Sequence, residues 1–177
     1  MNEQDYIIAV QTLVNPKLSS LQRLDNFALG LVGESAELFE KIRNPIPYTS
    51  PNKSLLEIII DEAGDILWYS TNLCEDLKIY IIPSTIKLRP IPAVTNMLVS
   101  AGKVCDAIKK IVYHKHSITK HSSELLSELW KFKRNYNALL SHYYLSESEV
   151  RQYNFDKLSK RYPNLQFSSE RSINREQ

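Results

Sequence analysis

SSLQRLDNFALGLVGESAELFEKIR, residues 19–43, reads as one long amphipathic helix. Leu21, Leu24, Phe27, Ala28, Leu31, Ser35, Leu38 and Ile42 recur at the three-and-four spacing of a single buried face. Ser19 or Ser20 is a ready N-cap, and the proline cluster after Asn44 ends the helix. A second long helix is expected over residues 54–78. Ser54 stands three residues before Glu57, the capping-box spacing. Leu55, Ile58, Ile59, Glu62, Ile66, Tyr69 and Leu73 share its apolar face. Between the two, NPIPYTSPNK (44–53) carries three prolines and reads as a loop.

Working outward, residues 5–14 predict a short helix stopped near Pro16. Residues 79–92 hold Pro83, Pro90 and Pro92 and read as an irregular connector. Ile79 to Ile82 is β-prone but has no partner strand in view. Further helices are expected over 93–113, 122–145 and 146–160, and the polar tail 166–177 reads as loose. The pattern is all-α, with connections short enough for an antiparallel helical bundle.

Composition narrows the classes of function. Of the 177 residues, 43% are apolar and 24% charged, which is ordinary for a globular chain and argues against global disorder. Four glycines leave little scope for an extended phosphate-binding loop. A net charge of +2 does not point to nucleic acid, although HKHSITKH (114–121) is mildly basic and reads as a solvated loop. The polar start Met1 to Asp5 does not resemble a signal peptide, and no apolar run approaches the ~20 residues of a membrane span. Cys74 and Cys105 are expected as reduced, buried thiols. A cytoplasmic setting follows as the expectation.

The unusual feature is acidic. Glu34 and Glu37 lie three apart on the first long helix, and Glu62 and Asp65 lie three apart on the second, so each pair projects from one side. Glu62 falls near the middle of an apolar stripe, between Ile58 and Ile66, with Asp65 on the flank. A carboxylate there is costly unless compensated, and several together also repel. A divalent cation answers both problems, and hard oxygen ligands select magnesium or manganese. Two alternatives stand beside it: a solvated acidic face, above all for Glu37, and a buried ion pair between Lys41 and Glu62. Asn72, seven residues after Asp65 on the same side, either reaches a ligand or caps a loop.

GLVGESAELFEKIR (30–43), DEAGDILWYSTNL (61–73) and NFDKLSKRYPN (154–164) occur in an order that resembles the MazG-like all-α nucleoside triphosphate pyrophosphohydrolases. Their E-x-x-E, spacer, E-x-x-D signature is met by Glu34, Glu37, Glu62 and Asp65. The resemblance implies magnesium-assisted hydrolysis of a nucleoside triphosphate to monophosphate and pyrophosphate, with the four acids as metal ligands. Glu34 or Glu37 would activate the water, and manganese could replace magnesium. It also implies that Lys41, Asn154, Lys157 and Arg161 face the nucleotide. On residue chemistry alone, Lys41 also suits an ion pair with Glu37, and Lys157 with Arg161 suits a solvated basic face. Trp68 and Tyr69 suit either core packing or base stacking.

A long interval, residues 74–153, separates the second motif from the third, where short members of that group have little. Within it, LVSAGKVCDAIKKIVYHK (98–115) resembles a second, decayed copy of the first motif, with Ser100 and Lys103 at the acidic positions. SELLSELWKFKRNY (123–136) would be the matching decayed helix, keeping Glu128 and placing Lys131 where the aspartate stood. The expected organisation is a catalytic half (1–78), the connector (79–92), a degenerate half ending in the substrate-facing segment (93–165), and the tail. A homo-oligomer is compatible with this.

Three rivals are weaker. A non-catalytic helical interaction or nucleotide-binding module would leave Glu62 without a reason. A di-iron bundle needs Glu-x-x-His pairs, and His114, His116, His121 and His142 all lack the glutamate and read as surface residues. Zinc hydrolysis lacks clustered His and Cys ligands.

Overall fold

The computed structural model describes residues 1–45, 54–82 and 84–173. Most of the predicted 44–53 loop, Pro83 of the connector and the last four residues of the tail lie outside the described residues. Among the described residues all regular structure is helical: α1 (Glu3–Thr12), α2 (Ser20–Arg43), α3 (Leu55–Leu77), α4 (Pro90–Val112), α5 (Ile118–His142), α6 (Glu147–Arg161) and the short α7 (Ser169–Ile173). None of these helices is long and apolar enough to cross a membrane.

The predicted starts of α2 and α3 carry full capping boxes. Ser19 and Gln22, then Ser54 and Glu57, exchange side-chain and backbone hydrogen bonds. Ser146 and Glu149 do the same for α6. α4 begins at Pro90, inside the segment expected to be connector. Its prolines sit in the first turn, where a missing N–H breaks no intrahelical bond. α5 likewise begins earlier than expected, capped by Ser117, so the basic run 114–121 is only partly loop. The tail is not wholly loose: Phe167 stacks on Tyr162 at 6.5 Å between ring centroids, which gives α7 an apolar anchor.

α2 and α4 pack against each other at the centre, with α3 against α2 and α5 against α4. α6, from the far end of the chain, packs on α3, and α1 touches both. One apolar cluster runs through all of these helices, from Tyr6 and Leu31 through Ile66 and Met97 to Phe132 and Leu158. α3 is buried more widely than its single predicted stripe, because it meets α2, α6 and α1 on different sides.

Two close approaches set the geometry around α3. A Cβ at Gly30 would fall 2.2 Å from the Tyr69 ring, so α2 lets that ring lie on its backbone. A Cβ at Gly64 would fall 2.9 Å from the Asn154 side chain, so α6 can settle directly on α3.

Candidate functional site

Glu34 and Glu37 on α2 and Glu62 on α3 converge. One carboxylate oxygen from each lies within 4.8 Å of the others. Glu62 is buried, Glu34 half-buried and Glu37 exposed. Lys41, one turn beyond Glu37, bonds Glu62 Oε1 and lies 3.8 Å from Glu37 Oε2. The ion pair weighed as the alternative for Glu62 is therefore present. It uses one oxygen only: Glu62 Oε2 is buried and has no hydrogen-bond partner among the described residues. An orphaned buried carboxylate oxygen beside two more carboxylates is a donor set that fits a hard divalent ion.

The electrostatics agree. Burial, then the negative charges of Asp65, Glu37 and Glu62, push the Glu34 carboxyl up to about 7, with Lys157 opposing. Burial also raises Glu62 above the ordinary carboxylate value, against the pull of Lys41. Burial disfavours the Lys41 ammonium, but its bond to Glu62 and the charge there outweigh it and the pKa rises.

Asp65 stands apart from the converging trio. Lys157 on α6 holds both its oxygens, at 2.7 Å from Oδ1 and 2.8 Å from Oδ2, and Asn154 Nδ2 donates to Oδ1 at 3.2 Å. The same ammonium lies 2.7 Å from Asp61 Oδ1. Lys157 is thus no solvated basic face: its pKa is raised, Asp65 and Asp61 outweighing the effect of burial.

Glu34 and Asp65 open onto a cleft of about 230 Å³. Phe27, Trp68, Tyr69, Tyr162 and Phe167 give it aromatic walls, and Arg161, Asn15 and Asn26 add polar groups. Trp68 meets Phe27 and Tyr69 edge-on, at 5.7 and 4.9 Å, so it serves the packing and the cleft wall together. Its indole Nε1 is buried without a partner among the described residues.

Two expected ligand-facing residues take other roles. Asn72 is fully buried: its Nδ2 donates to the Trp68 carbonyl and its Oδ1 accepts from Gln11, so it ties α1 to α3 and does not line the cleft. Asn154 is also fully buried, its Oδ1 accepting from Tyr6 while its Nδ2 supports Asp65. It positions an acid and has no free edge for a ligand. Sequence reasoning passed over Asp61, although an acid one turn before Asp65 was a visible signal. Tyr6, Asn26 and Phe167 gave no local signal, since their roles depend on contacts between distant segments.

The expected decayed copy has its own geometry. Glu128 is buried, bonded at 2.6 Å to Lys131, with Lys103 at 3.7 Å. Burial pushes its carboxyl up, but Lys131, Lys103 and Ser100 outweigh this and it titrates below the ordinary value. One sequence offset relates Glu34 to Ser100, Glu37 to Lys103, Glu62 to Glu128 and Asp65 to Lys131. The same offset pairs buried Leu31 with Met97, Leu38 with Val104, Ile59 with Leu125 and Ile66 with Phe132.

Cys74 and Cys105 are free and half-buried, and burial pushes the Cys74 thiol up to about 12. Of the histidines read as surface residues, His121 is buried, with Nδ1 3.1 Å from Glu124 and Nε2 2.9 Å from His116. No family model matches the chain, and no curated protein or solved structure matches it either.

Proposed function

We propose that the chain is a magnesium-dependent hydrolase that cleaves a nucleoside triphosphate to monophosphate and pyrophosphate. One observation carries the proposal: three carboxylates from two helices converge, and one of them, Glu34, lines a cleft with aromatic walls and an arginine. Aromatic rings suit the faces of a base. Arg161 supplies the planar fork that suits phosphate oxygens. The resemblance to the MazG-like group of enzymes supports the same assignment.

In this proposal Glu34, Glu37 and Glu62 hold the ion, with Asp65 as a fourth ligand once Lys157 moves off it. The bound ion would neutralise charge on the phosphoryl oxygens. Glu34 lines the cleft and Glu37 does not, so Glu34 is the better placed to orient and deprotonate the attacking water. Lys41 keeps Glu62 directed at the site from one turn beyond Glu37. Arg161, at the cleft wall, clamps the phosphates. Asn154, itself bonded by the Tyr6 hydroxyl, holds Asp65.

The second helix pair, α4 and α5, is proposed to be a degenerate duplicate of α2 and α3. The shared offset and matched burial support this, and one active centre per chain follows.

The Lys41–Glu62 and Lys157–Asp65 pairs favour a second reading, a non-catalytic nucleotide-binding or interaction module whose acids are neutralised within the protein. A panel of ribo- and deoxyribonucleoside triphosphates, with magnesium and with chelator, separates the two. Magnesium-dependent pyrophosphate release from at least one substrate is expected. Nucleotide binding without release from any of them would favour the module.

A further inference from the structure

We infer that Lys157 is a latch on the metal site: its ammonium occupies Asp65 until a divalent ion arrives, and Asp61 is the berth to which it then retreats. This rests on the metal reading above and deepens it. The signature of four acids is complete in the sequence, yet only three converge, and the fourth has both oxygens engaged by one lysine. Asp61 and Asp65 sit one helical turn apart on α3, and Lys157 reaches both at 2.7 Å from α6. The ammonium can therefore shift its weight from one acid to the other by rotating its own stem, with no helix moving.

Asp61 accounts for the retreat. At 21% side-chain exposure and 2.7 Å from Lys157 Nζ, it already holds the ammonium at ion-pair distance. Held on Asp61, the ammonium stays in the site while Asp65 turns to the ion. Lys157 is thus a positioning residue that competes with the metal, which is the opposite of what a supporting contact would do.

Calorimetric titration with Mn²⁺ in the absence of nucleotide tests this on the full chain. Lys157→Met should bind Mn²⁺ more tightly than the wild type, by about tenfold. Arg161→Met removes a positive charge from the cleft lining, one helical turn beyond Lys157, without freeing Asp65, and should change affinity far less. Asp61→Asn should weaken binding more in the presence of Lys157 than in the Lys157→Met background, because only then is the ammonium forced onto Asp65. Unchanged or weaker binding in Lys157→Met, or equal tightening in Arg161→Met, would overturn the latch and leave the metal site standing. An equal cost for Asp61→Asn in both backgrounds would overturn the berth, and with it the two-position latch. Wild-type protein that takes up no Mn²⁺ would sink both the latch and the metal reading.

Discussion

The α2–α3 and α4–α5 pairs place a buried glutamate at matched positions, Glu62 and Glu128, and surround it with opposite charge. Each leaves its Oε2 buried and without a partner among the described residues. Around Glu62 stand Glu34, Glu37 and Asp65, and its carboxyl is pushed up. Around Glu128 stand Lys103 and Lys131, and its carboxyl is pulled down. The apolar framework is equally tight in both, so packing does not separate them. What separates them is where the compensating charge comes from. Two lysines of its own helix pair neutralise Glu128 within the fold. In the first pair Lys41 and Lys157 engage Glu62, Asp61 and Asp65, and under the proposed function the carboxylates of Glu34, Glu37 and Glu62 would take an external cation.

The sharpest way to break this contrast is to neutralise each glutamate in turn. Glu62→Gln should lower magnesium-dependent turnover by about 10²–10³-fold, the scale of losing a group that stabilises developing charge. Glu128→Gln should leave turnover within about twofold, since it touches no part of the cleft. Steady-state pyrophosphate release measures both, and equal losses would mean that the second pair is also catalytic.

Glycines sharpen the contrast through packing. Gly64→Ala drives a methyl into Asn154, and Gly30→Ala drives one into the Tyr69 ring. Each should cost about 1–3 kcal/mol in urea unfolding, as overpacked sites do. Gly102, at an exposed position of α4, has nothing within 4 Å of an added Cβ. Alanine there should add about 0.5–1 kcal/mol through helix propensity alone. A stable Gly64→Ala would mean that α6 does not need its close seat on α3.

The smallest effect concerns pH. Glu34 is raised from its ordinary 4.5 to about 7, so between those values the ion-free native state holds a proton that the unfolded chain has released. This group's contribution to stability is therefore lost as pH rises through that window. An ion must displace the proton to bind, so Mn²⁺ should raise the melting temperature more at pH 8 than at pH 6. The difference is at most about 1 kcal/mol, roughly 2–4 °C for a chain of this size. Glu34→Gln should abolish it, and no analogous term exists at Ser100.

Several elements could be read directly from the chain. Ser19 and Ser54 cap the helices they were expected to cap, and Glu62 is buried in the stripe where periodicity placed it. Of the four acids expected together, Glu34, Glu37 and Glu62 meet and Asp65 is not in that trio. The misjudged elements depended on partners far along the chain. Asn72 and Asn154 are polar residues facing the right way, but Gln11 and Tyr6 occupy them. The tail's short helix depends on Phe167 finding Tyr162. The prolines at the start of α4 weighed as breakers, although a first turn tolerates them.

Helix type, caps and the facing of each acid come from interactions within four residues, so the chain's local order was enough to set them. Which carboxylates stay available to an ion is a different matter. Lys157 and Asp65 are 92 residues apart, and their bond exists because α6 folds back onto the bare backbone of Gly64. Coulomb energy depends on distance in space, so folding alone could assign each lysine to its acid.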